Sequence, residues 1–133
     1  MIEVELSKII IDEEKQEQII VLREKGGSRM LPIVIGLSEA ASIRMEVNGF
    51  SPPRPLTHDL IKSLIDTFSA TLETVVVDKL INGTFHAKLH FITKDGEQRI
   101  VDARPSDSIA VALRTNSPIF VQEEVFEKLL MED

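Results

Sequence analysis

Cysteine, tryptophan and tyrosine are absent from this chain of 133 residues. Without cysteine there is no disulfide framework, no thiolate zinc site and no cysteine nucleophile. Without Trp and Tyr, the six phenylalanines are the only aromatic platforms on which single-stranded bases could stack. Basic residues are also in deficit, 15 Lys and Arg against 22 Asp and Glu, for a net charge of −7. That balance argues against a generic nucleic-acid coat, which carries a basic surplus. It leaves room for an enzyme acting on nucleic acid, because a catalytic site needs only a local basic patch. No apolar run approaches the length that spans a bilayer, and Met1-Ile2-Glu3-Val4-Glu5 lacks the basic region and apolar stretch of a leader. The expectation is a cytoplasmic protein with no membrane contact, folded as a single domain over residues 1–133 that buries about two-thirds of its unfolded surface.

What is present is orderly. Residues 2–11 alternate Ile2, Val4 and Leu6 with Glu3, Glu5 and Ser7 and then turn apolar at Ile9–Ile11, a strand that passes under cover. Asp12-Glu13-Glu14 reads as a solvated hairpin tip, residues 18–24 as the return strand, and Gly26-Gly27 as a second turn. Met30–Ile35 is a third strand, with Pro32 placing it at an edge or a bulge. Ser38 is expected to cap a helix over 39–48. Behind Thr57, Leu60, Ile61, Leu64, Ile65 and Phe68 recur at helical spacing and predict a helix with that stripe inward. Strands follow at 74–80, 85–91 and 98–103, then a helix capped by Ser106 with Ile109, Ala110, Ala112 and Leu113 as its buried side, a short strand over 118–122 and a closing helix over 123–131.

The two halves correspond. Val4–Ile9 matches Val75–Leu80, and Ile33-Val34-Ile35 before Ser38-Glu39 matches Ile100-Val101-Asp102 before Ser106-Asp107. The fold class expected is α+β, with internally duplicated halves of three antiparallel strands and a helix forming one mixed sheet and helix domain.

Two short stretches concentrate charge where helices begin, Arg54-Pro55-Leu56-Thr57-His58-Asp59 and Asp102-Ala103-Arg104-Pro105-Ser106-Asp107. Helix starts offer free N–H groups and the positive end of the dipole, so both are candidate anion sites. Together with Leu31-Pro32-Ile33-Val34-Ile35-Gly36, Glu39-Ala40 and Gly83-Thr84-Phe85-His86-Ala87, these blocks resemble the bifunctional nuclease domain family over roughly residues 2–130. The resemblance implies nuclease activity on DNA and RNA for some plant relatives. Some bacterial relatives carry a C-terminal interaction motif of the UvrB/UvrC type, which this sequence is expected to lack.

Phosphodiester hydrolysis needs an activated water, charge neutralisation at phosphate and help for the leaving oxygen. The candidates are Arg54 and Arg104 as phosphate forks and Glu39, Asp59, Asp102 and Asp107 as carboxylates that orient water or bind Mg²⁺ or Mn²⁺. His58 is the candidate proton carrier. Plainer readings stand beside these. Glu39, Asp59 and Asp107 fall in first helical turns, where the dipole alone favours acids. The two arginines could pair with Asp59 and Asp102 in a structural network, and His58 could be a solvated turn residue. Asp102 ends an apolar strand and needs a partner. His86 and His90, four apart on a strand, are separated by roughly 13 Å and cannot share a metal. The alternatives to a nuclease acting on DNA or RNA are a non-catalytic anion-binding or oligomerisation module of the same fold and a small-molecule enzyme using the same anion site. A homo-oligomer is expected, with Ile9-Ile10-Ile11 as one apolar strand that could pair across it.

Overall fold

The structure, a computed structural model, describes residues 1–131. Its elements run β1 (Ile2–Asp12), β2 (Glu17–Glu24), β3 (Met30–Ile35), α1 (Leu37–Val47), α2 (Thr57–Thr67), β4 (Thr71–Ile81), β5 (Thr84–Ile92), β6 (Gln98–Ala103), α3 (Pro105–Thr115), β7 (Ile119–Val121) and α4 (Glu123–Met131). The seven strands form one sheet in the order β3-β2-β1-β7-β4-β5-β6. Pairing is antiparallel except between β7 and β4, so the sheet is mixed and the fold is α+β, as expected. Pro32 sits on an edge strand, where its missing N–H costs nothing in the ladder. Among the described residues no helix is long and apolar enough to cross a membrane.

The short β7 joins two three-stranded meanders, and Ile119 pairs with Val4 on one side and Val75 on the other. A register shift falls at Ser7 in β1 and at Asp78 in β4, positions that correspond in the two halves. β3 with α1 and β6 with α3 also have equal lengths. This equivalence is one of topology and position; duplication as its origin is the reading of the sequence.

The core is one cluster between sheet and helices, centred on Ile20, Leu22, Val75 and Val77 from the strands and Ile43 and Ile109 from the helices. Helix α3 is its spine. Eight of its residues are buried, among them Ser106, Ser108, Ala110 and Ala112, whose small side chains let α1 and α2 pack closely on it.

Three local expectations are corrected. The helix-starting hydroxyls do not cap: Gly36, Leu56 and Arg104 hold the extended N-cap positions, and Ser38, Thr57 and Ser106 lie inside the first turns. Before α3 the reason is Pro105, which takes the first helical position and forces the preceding residue into extended backbone. The apolar stripe of α2 is not wholly inward. His58 and Ile65 are buried and Ile61 is half-buried, an inward face at i, i+3 and i+7, while Leu60, Leu64 and Phe68 are 54%, 47% and 73% exposed. In α3 the inward face includes Val111 as well as Ile109, Ala110 and Ala112, and Leu113 is only half-buried.

Candidate functional site

A cleft of about 640 Å³ opens between the starts of α1, α2 and α3 and the strands β5 and β6. Its walls carry Glu39, His58, Asp102, Arg104 and Asp107, with Phe91 on the strand side. Helices α1 and α3 point their first turns at it because each follows directly from the end of an edge strand, β3 and β6 respectively.

The two expected turns meet through one contact. His58 Nε2 lies 2.8 Å from Asp107 Oδ1, and His58 Nδ1 lies 2.7 Å from Ser42 Oγ. The other oxygen of Asp107 accepts from Arg104 Nε at 3.0 Å and Nη2 at 2.8 Å. Behind Ser42 stands Arg114, buried in the last turn of α3. It donates to Ser42 Oγ at 3.0 Å, to the carbonyls of Ser42 and Ala110 at 3.2 and 3.0 Å, and to Asp59 Oδ1 at 2.7 Å.

These partners assign the protons. An ionised Asp107 only accepts, so His58 donates to it from Nε2; in the neutral ring Nδ1 accepts from the Ser42 hydroxyl, whose oxygen accepts from Arg114. The result is a satisfied chain from Arg114 through Ser42 and His58 to Asp107. Burial works to raise the Asp107 pKa, but hydrogen bonds from His58 and Arg104 outweigh it and hold the carboxyl below its ordinary value. Its own hydrogen bond to Asp107 raises the pKa of Arg104.

Not every candidate joins this group. Arg54 is exposed, does not line the cleft and forms no side-chain hydrogen bond or ion pair among the described residues, so the two arginines of the expected forks are not brought together. Asp59 serves the fold: besides Arg114, it accepts the Leu56 N–H at 2.9 Å. The hydrogen bond from Arg114 is the main reason its pKa is lowered. Asp102 stands at the rim, but the pleat sends Val101 and Leu89 to the cleft side and pairs Asp102 with Lys88 on the other. Lys88 Nζ is 3.0 Å from Asp102 and 3.4 Å from Asp78, which supplies the partner that Asp102 needs and lowers its pKa. His58, expected to be a solvated turn residue or a proton carrier, is 5% exposed with both ring nitrogens engaged, so the solvated reading does not hold.

Glu39 and Arg104 remain as the pair at the mouth. Arg104 is 67% exposed in its side chain, and among the described residues its Nη1 makes no hydrogen bond, with Glu39 Oε1 at 3.9 Å. Glu39 is 18% exposed and lies so close to Gly36 that a Cβ there would collide with its carboxylate. Among the described residues no three His, Asp or Glu side chains gather as a metal site, and the carboxylates of Asp102 and Asp107 are already held by cations or His58. The described residues therefore do not form a ready divalent-ion site. Sequence reasoning missed Arg114 and Ser42. Arg114 gives only the signal of a cation in a last helical turn, and Ser42 only that of one more small residue after Ala40 and Ala41.

Comparison with known proteins supplies the family. A protein of Mycobacterium tuberculosis described as uncharacterized is 47% identical over 124 residues, covering 92% of this chain and 73% of its own length. Bifunctional nuclease 2 of Oryza sativa subsp. japonica is 31% identical over 119 residues, 86% of this chain and 36% of that protein. Bifunctional nuclease 1 of Arabidopsis thaliana is 28% identical over 108 residues, 79% and 33% respectively, so the chain spans about a third of these plant relatives. Residues 20–133 match the family model of the bifunctional nuclease domain, and this chain belongs to that family.

Proposed function

We propose that the domain hydrolyses phosphodiester bonds in DNA or RNA at the cleft beside Arg104. The observation that carries this reading is the exposed Arg104 guanidinium, aimed by Asp107 and bordered by Glu39, in a chain of this family. Arg104 Nη1 contacts a phosphate oxygen and stabilises the charge that builds there. Glu39 accepts a proton from water as that water adds to phosphorus; the bond from phosphorus to the leaving oxygen breaks, and this oxygen takes a proton from solvent. His58 orients Asp107, and through it Arg104. No step is assigned to Mg²⁺ or Mn²⁺, and Asp102 acts only at the rim.

The test is cleavage of labelled single-stranded DNA and RNA by purified protein, with Mg²⁺, with Mn²⁺ and with chelator. Arg104→Ala serves as the control that keeps its fold. Removing one charge-stabilising donor is expected to slow cleavage by about 10²–10³-fold. Equal cleavage by both proteins would assign the activity to a contaminant and favour the non-catalytic anion-binding module.

The expected self-association is proposed for the exposed face of α2, where Leu60, Leu64 and Phe68 form a stripe at i, i+4 and i+8. A molecular mass independent of concentration at the monomer value would remove it.

A further inference from the structure

Arg104 lines two cavities. Beyond the cleft already described, it also borders a smaller one of about 380 Å³ between the end of β3, the β4–β5 turn and the start of α3. Each cavity holds one phenylalanine of β5: Phe85 in the smaller, Phe91 in the larger. Both are half-buried, packed against the core on one side. Six residues apart on one strand, they share a face and stand about 20 Å from one another.

Charge gives the path a direction. Among the described residues lining the smaller cavity, Arg104 is the one that carries charge. Past Gly36 the next recess, about 760 Å³, is lined by Asp12, Glu13 and Glu17 with no Lys or Arg, and it repels a polyanion. The larger cleft also carries acids, but there Arg104 holds Asp107 and Lys88 holds Asp102, so a strand beside Phe85 and Arg104 has the cleft at Phe91 as its less repelling continuation.

We propose, resting on the nuclease reading above, that the substrate is an extended single strand, with unpaired bases stacking on Phe85 and Phe91 on either side of the phosphate held by Arg104. Stacking holds a strand without reading its base edges, because every base has a π-face. It also selects against duplex, whose bases already stack on one another and present only their edges in the grooves.

The experiment measures binding and turnover separately on the full chain. Fluorescence anisotropy gives Kd for a labelled single-stranded oligonucleotide and for the same sequence as duplex. Cleavage is followed on the oligonucleotide and on bis(4-nitrophenyl) phosphate, a diester without nucleobases. The wild type should bind the single strand at least tenfold more tightly than the duplex. Phe85→Leu and Phe91→Leu, which keep apolar volume, should each raise Kd and KM for the oligonucleotide about tenfold. In both, the loss on the oligonucleotide should exceed any change in the rate on the small diester by about tenfold. Equal affinity of the wild type for duplex would overturn the proposal without need of any variant, as would folded Phe→Leu proteins with unaltered Kd. Loss of the nuclease reading has a different signature: Arg104→Ala matching wild type on both diesters.

Discussion

Arg54 and Arg104 both precede a proline at the start of an eleven-residue helix, yet one guanidinium faces solvent off the cleft and the other stands in its mouth. The difference is an offset. At the second turn Pro105 is itself the first helical residue, so Arg104 occupies the N-cap and Asp107, three residues on, reaches back to hold it. At the first turn Leu56 intervenes as N-cap, Arg54 falls two residues short of it, and Asp59 reaches back to the Leu56 N–H. The remaining acceptor of Asp59 is taken by the buried Arg114. One turn thus anchors the fold and the other lines the candidate site, and His58 ties the first to the second.

The largest expected effect strikes the structural side of this contrast. Arg114→Met should destabilise the protein by about 3 kcal/mol, the lower end for breaking a buried ion pair because Asp59 keeps some contact with water. Denaturant unfolding measures it, and a cost below about 1 kcal/mol would show that the Arg114 network does not hold the first turn.

Acid comes next. Asp59 and Asp107 both have lowered pKa values in the folded chain, so unfolding raises their proton affinity. Their contribution to stability is complete above the ordinary carboxyl pKa of about 3.9 and is lost as pH falls through the lower folded values. Melting temperature against pH should therefore fall below about pH 4, and less steeply in Asp59→Asn and Asp107→Asn. An acid limb unchanged by both substitutions would mean that neither carboxylate is held as its hydrogen bonds indicate.

A smaller effect separates site from scaffold. Gly36→Ala puts a methyl group where the Glu39 carboxylate lies, so the carboxylate must move away from its place near Arg104. Stability should change by about 1 kcal/mol or less, the usual difference between Gly and Ala at an N-cap. Cleavage should fall by at least tenfold if Glu39 takes the proton of the attacking water. Unaltered cleavage would remove Glu39 from that role.

Much of the fold was legible because its patterns are local. Alternation marked β1 and β5 and Pro32 marked an edge, whereas the bulges at Ser7 and Asp78 leave no signal in the pattern and emerge only from the strand registers. The site was legible only in part, since its assembly depends on how elements meet. Glu39, His58, Arg104 and Asp107 are brought together, whereas the pleat of β6 turns Asp102 toward Lys88, a fact set by register with β5. Arg114 was hidden by an ordinary address, a cation in the last turn of a helix, and its role follows only from burial among α1 and α2. The inward His58 explains why Leu60, Leu64 and Phe68 lie outside despite their helical spacing.

The most direct test compares the two arginines in one assay. Arg54→Ala and Arg104→Ala are both exposed-side-chain changes, expected to alter stability by less than about 1 kcal/mol. Their cleavage of labelled single-stranded DNA and RNA should differ sharply, with Arg54→Ala equal to wild type and Arg104→Ala slower by about 10²–10³-fold at matched melting temperature. Equal loss in both variants, or loss in Arg54→Ala alone, would contradict the division of the two turns into scaffold and site.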